Sequence, residues 1–138
     1  MGMAELTENK VFWWSSASLR ISYPSLEPDE LSLLLNAIPA IADRPGQSRV
    51  RHGSCDSAGY WCVSHREGSP ARPSVVIEWA ETFVADRIET FSRFVEIGYD
   101  INVYVAIHSN VMSVGFDLPS TPALTKLGIR VGIEYFSR

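Results

Sequence analysis

The chain has 138 residues, 46% of them hydrophobic, enough for one domain to bury a core without help from disulfides or metal. A net charge of −4 and a pI near 5.3 oppose non-specific binding to nucleic acid or to anionic membranes. No apolar run reaches the length of a transmembrane helix, and Met1 to Lys10 lacks the basic start and apolar run of a signal peptide.

Ala17 to Tyr23 alternates apolar and polar residues, the period-two pattern of a half-buried strand, and Pro24 ends it. Glu27-Pro28-Asp29-Glu30 puts proline and acids in a first helical turn, where the missing N–H costs nothing and the helix dipole favours negative charge. This helix is expected through Leu31, Leu34 and Leu35, stopping before Pro39, with Ile38 to Ser48 as a loop. Gln47 to His52 and Gly59 to His65 read as two strands about a turn at Gly53 to Ser57, and Arg66 to Pro73 as a second loop. Ser74 to Ile97 gives the clearest helical periodicity, with Val76, Ala80, Phe83, Val84, Ile88, Phe91, Phe94 and Val95 at three- and four-residue spacing. Ser74 is its expected cap and Gly98 its expected stop; Glu78, Glu81, Glu89 and Glu96 are assigned to its solvated face. Ile101 to His108 and Met112 to Leu118 are expected strands joined at Ser109-Asn110. A short helix follows from Ser120-Thr121-Pro122 to near Gly128, and Ile129 to Tyr135 alternates as a closing strand.

The resulting order, β-α-β-β-α-β-β-α-β, predicts a single α+β domain over residues 1–138. Its sheet is expected to be mostly antiparallel with helices on one face, and residues 1–11 to form a flexible lead. The order contains the ferredoxin-like βαββαβ unit in two overlapping registers, so the fold is expected to be ferredoxin-like in part.

Four segments carry a resemblance to known proteins: Ser18-Leu-Arg-Ile followed by Leu26-Glu-Pro-Asp-Glu-Leu, then Gly59-Tyr-Trp-Cys-Val-Ser, and Pro122-Ala-Leu-Thr-Lys-Leu-Gly-Ile. Spaced this way, the chain from about Ala17 onward resembles a bacterial family known as domain of unknown function 4279. The resemblance implies an α+β fold and a bacterial origin, and it implies no activity. The family commonly has a His near the start of its central helix, whereas this chain reads Val75-Val-Ile-Glu-Trp79 there.

Two constellations could carry chemistry. His52, Cys55, Cys62 and His65 pair as His-x2-Cys and Cys-x2-His, a zinc-like spacing. The short insert between the pairs weighs against a zinc site. So does parity, because a regular strand would point Cys62 and His65 to opposite faces. No metal or other cofactor is expected, and no nucleophile elbow, phosphate loop or dinucleotide fingerprint is present, so no catalytic residue is assigned. The second constellation follows from strand alternation. Leu19, Ile21, Ile101, Val103, Val105, Val114, Phe116, Ile129, Val131 and Ile133 should face the helices. Arg20, Tyr104, His108, Asp117, Arg130 and Glu134 should then share an open face with small residues, and Trp14 falls on it by the same parity.

The expected function is therefore a non-enzymatic protein-binding module using Trp14, Arg20, Tyr104, His108, Asp117, Arg130 and Glu134, with a protein partner or a second copy as its ligand. An immunity-type role is one concrete version. The alternatives are a small-ligand binder or enzyme on the same face, and a zinc domain through the His/Cys cluster. Neither nucleic acid nor membrane is an expected partner. The cytoplasm is the expected compartment, with both cysteines as thiols.

Overall fold

The computed structural model describes residues 13–46, 49–51, 54–56, 58–68, 72–110 and 116–137. The expected flexible lead and the expected strand residues 112–115 lie outside them. Strand β1 (Trp13–Tyr23) is antiparallel to both β5 (Gly59–Glu67) and β6 (Asp100–Ser109). The short β2 (Ile41–Asp43) extends the sheet beyond β5, and β7 (Arg130–Ser137) runs parallel to β6. The result is a mixed five-stranded sheet in the order β2-β5-β1-β6-β7. A separate two-stranded ribbon joins β3 (Arg49–Arg51) to β4 (Ser54–Asp56). Four helices are described: α1 (Pro28–Leu35), α2 (Pro73–Ala85), α3 (Ile88–Ile97) and α4 (Pro122–Leu127). The chain is thus α+β, and none of these helices is long and apolar enough to cross a membrane.

Strand alternation sets the position of the core. Ala17, Leu19 and Ile21 of β1, Trp61 of β5, and Ile101, Val103, Val105 and Ile107 of β6 are all buried and share one parity through the strand register. All four helices contribute to the same cluster: Leu31 and Leu35 from α1, Val76, Ala80 and Val84 from α2, Phe91 and Phe94 from α3, and Leu124 from α4. The described helices therefore pack on one face of the sheet. Each fully buried side chain of this size contributes roughly 1.5–3 kcal/mol by leaving water. Trp61 also satisfies its indole N–H by donating to Ser32 Oγ of α1 at 3.1 Å, which fixes that helix against β5.

The expected helix at 74–97 is two helices. Arg87 leaves helical geometry (φ −128°, ψ 33°) although neither glycine nor proline is nearby. Its guanidinium donates from Nε to Leu35 O at 2.7 Å and from Nη1 to Phe83 O at 3.1 Å, lying 3.8 Å over the Phe83 ring. Those carbonyls sit at the C-terminal ends of α1 and α2, where a cation suits the helix dipole. Ser74 does not cap α2: Pro73 takes the first helical position and Arg72 precedes it without a side-chain bond. Gly98 does end α3, at φ 108°, a conformation that L side chains rarely adopt.

Three further expectations are corrected. Glu81 is half-buried rather than on a solvated face, and its carboxylate accepts from the backbone N–H groups of Ala123 (2.8 Å) and Leu124 (3.1 Å). It thus caps α4, whose own Thr121 makes no side-chain cap. The hairpin expected between 47–52 and 59–65 is replaced, because β3 pairs with β4 while β5 pairs with β1 and β2. Phe116 to Leu118 has no strand conformation; β6 is flanked by β1 on one side and β7 on the other.

Candidate functional site: the sheet face opposite the described helices

The residues of opposite parity form the second face of the sheet. At one end, strand register aligns Trp14 of β1 with His108 of β6, and His108 with Phe136 of β7. Their rings stack in one row: Trp14 and His108 have centroids 4.0 Å apart at 12°, and His108 and Phe136 are 4.6 Å apart, also at 12°. Arg66 of β5 extends the row, its guanidinium 4.0 Å from the Trp14 ring centre. Four strands thus contribute to one continuous ladder. Aromatic contacts of this kind add about 0.5–1.5 kcal/mol each beyond the area they bury, and a cation on an indole face adds to them.

Next to the ladder lies a floor of small residues. Ser16 aligns with Ala106, which aligns with Glu134, and Ser18 aligns with Tyr104, which aligns with Gly132. Ser18 Oγ and Ser64 Oγ are 3.0 Å apart and tie β1 to β5 on this side. Beyond the floor stands a polar group. The Arg20 guanidinium lies 4.2 Å over the Tyr104 ring, and the Tyr104 hydroxyl donates to Glu134. Burial raises the Tyr104 pKa above its ordinary value, and the hydrogen bond and charge of Glu134 raise it further, with Arg20 opposing. The phenol is therefore held protonated as a donor. Arg130 lies on the same face, aligned through Asn102 with Arg20.

Charge on this surface differs from that of the whole chain. The rows from the ladder to Arg20 carry Arg20, Arg66 and Arg130 against Glu134, and the next row of the same face adds Asp43 and Asp100, so basic and acidic groups are segregated along it in a protein of net charge −4. Chemically, the face offers stacked rings, three guanidinium groups and small side chains between them. These groups suit contact with apolar and acidic surface, and Tyr104 and Glu134 are engaged with each other.

Six of the seven expected site residues share this face, in two groups: Trp14 with His108, and Arg20 with Tyr104, Glu134 and the neighbouring Arg130. Asp117 is the exception and a correction. It lies in an irregular stretch on the helix side, lining a cleft of about 450 Å³ with Arg72, Pro73, Ser74 and Glu78 near the start of α2. Its assignment depended on a strand that residues 116–118 do not form. Arg66 and Phe136 belong to the ladder and escaped the sequence reading. Both were within reach of the same alternation, one step beyond His65 and Tyr135, where the expected strands ended.

The His/Cys cluster is divided by the sheet. Cys62 is buried on the side opposite the described helices, with Sγ 3.8 Å from Ser64 Oγ. His65 is on the other side, its Nε2 2.7 Å from Glu67 Oε2 and its ring 5.5 Å from that of Trp79. His52 and the side chain of Cys55 lie outside the described residues. Among the described residues, no three His, Cys, Asp or Glu side chains are grouped to hold a metal ion. In comparisons with known proteins, no family model, no curated protein and no solved structure matches the chain.

Proposed function

We propose that the chain is a non-enzymatic protein-binding module that holds its partner on the sheet face that no described helix covers. The observation that carries this reading is the Arg66–Trp14–His108–Phe136 ladder. Trp and Arg are the side chains that most often anchor protein interfaces. Here they stand in a row on a sheet face that no described helix covers. The guanidinium groups of Arg20, Arg66 and Arg130 favour a partner with acidic surface around an apolar centre. A protein-neutralising, immunity-type role is one form that such binding takes.

With this reading go a bacterial origin, a cytoplasmic location, and membership of the family 4279, resting on the segments at Ser18, Leu26, Gly59 and Pro122. Acidity supports the view that neither nucleic acid nor an anionic membrane is the partner. For the fold, β5 and β6 flank β1 as a split β-α-β unit with α2 and α3 in the crossover, which supports partial kinship with the ferredoxin-like arrangement. The parallel β6–β7 pair is a departure from it.

A small-ligand reading has one observation in its favour, the Tyr104–Glu134 pair beside Arg20. Native mass spectrometry of the protein purified from its own host separates the two readings. A bound protein that is lost in Trp14→Ala and Arg20→Ala variants supports the module. A bound small molecule lost in Tyr104→Phe, with no protein retained, replaces it.

A further inference from the structure

We infer that β7 is a homodimer edge, on which a second copy of the chain adds its own β7 antiparallel about Gly132. Three independent features of β7 point there. The first is the contrast between the two edges of the sheet. The β2 edge is three residues long and is closed by Pro45 within two residues of its end, the way an edge is normally blunted. The β7 edge is eight residues long, contains no proline, and has no described strand on its outer side.

The second feature is Gly132. Glycine weakens a strand interior, and among the described residues nothing requires it: a Cβ built there meets none of their atoms within 4 Å, and its φ is not positive. A glycine of this kind commonly marks the close approach of another backbone. The third feature is charge. Antiparallel pairing centred on Gly132 puts Arg130 of each copy opposite Glu134 of the other, and Val131 opposite Ile133. Arg130, Gly132 and Glu134 are all exposed, and Ile133 is 43% exposed although it points to the core side of the sheet. The two-fold axis would then be normal to the sheet. Two five-stranded sheets would join into one, with both ladders on the same side. The strand is complementary to itself, which is why a second copy is the occupant. This inference does not depend on what the ladder binds.

The test uses the full chain and two charge reversals, Arg130→Glu and Glu134→Arg, each followed by native mass spectrometry and sedimentation from micromolar to near-millimolar concentration. The wild type is expected to dimerise. Each reversal alone sets like charges opposite one another at both ends of the pair and is expected to weaken dimerisation at least tenfold. Mixing the two variants restores opposite charges at both ends and is expected to give a heterodimer of intermediate mass, with neither homodimer. A wild type that stays monomeric throughout overturns the inference. So do single variants that dimerise as well as the wild type, or a mixture that forms no heterodimer while both variants remain folded by circular dichroism. Trp14→Ala, on the ladder, leaves the dimer intact; if it abolishes dimerisation, the copies meet through the sheet face and the edge inference fails.

Discussion

Replacing Glu81 by Ala removes one side chain that serves two helices. In the folded protein the Glu81 carboxylate receives the N–H groups of Ala123 and Leu124 at 2.8 and 3.1 Å, the second and third residues of α4. A neutral N-cap is worth about 1 kcal/mol. Negative charge at a helix N-terminus adds about 0.3–1 kcal/mol, and bonds to a charged acceptor are the stronger kind. Together these contributions put the loss on truncation at up to about 2 kcal/mol. The orphaned N–H groups can regain water in part, since α4 has an exposed side. For a domain of this size that loss lowers Tm by about 6–8 °C. Glu81→Gln keeps one carbonyl acceptor without the charge and should lose about half as much. Urea unfolding at neutral pH measures both, with an unchanged m-value expected. A loss below about 0.5 kcal/mol for Glu81→Ala, the range typical of plain surface positions, would refute the capping argument and return Glu81 to the solvated face of α2.

Arg87→Ala frees the carbonyls of Leu35 and Phe83 and should cost about 2 kcal/mol by urea unfolding; a neutral result would mean that these carbonyls are satisfied without it. Gly59→Ala should cost about 3 kcal/mol or more, because the new Cβ would stand 2.1 Å from the backbone oxygen of Leu26. Gly132→Ala, with open space around its Cβ and no positive φ, should stabilise the monomer by about 0.4–1 kcal/mol. Tyr104 should titrate above its ordinary value in a spectroscopic pH titration. Since burial is the first cause and Glu134 the second, Glu134→Gln should bring its midpoint down only part of the way. Arg20→Ala, by removing the opposing charge, should move it further up. The sign for stability follows from the direction: a raised phenol pKa gives a contribution fully present below the unfolded tyrosine value near 10 and lost as pH rises through the higher folded value. Stability that instead increased over that alkaline range would contradict the assignment.

The parts of the fold that depend on local chemistry were legible in the sequence. Alternation in β1, β6 and β7 separated core from open face, and it carried Trp14, Arg20, Tyr104, His108, Arg130 and Glu134 to one side. Proline and acids at the start of α1 and the glycines after α3 and α4 marked helix ends, because those positions have specific backbone and dipole requirements. What failed depended on partners distant in sequence. Arg87 breaks a helix that its own neighbours would continue, by reaching a carbonyl 52 residues earlier. Glu81 looks solvated until α4 arrives 42 residues later. Asp117 kept strand parity on paper only. Strand order could not be read either, since β1 finds its neighbours in β5 and β6 through register, and period-two alternation is blind to which strand lies alongside.

The most direct test of the binding face is quantitative capture on immobilised protein from lysate of its own host, comparing the wild type with two pairs of variants. Trp14→Ala and Arg66→Ala remove ladder members without touching the core; Glu89→Ala and Arg93→Ala alter the exposed surface of α3. A protein enriched by the wild type and by the α3 variants, and reduced at least tenfold in both ladder variants, is the predicted result. An identical set of captured proteins on all five baits would contradict the claim that the sheet face opposite the described helices is the binding surface.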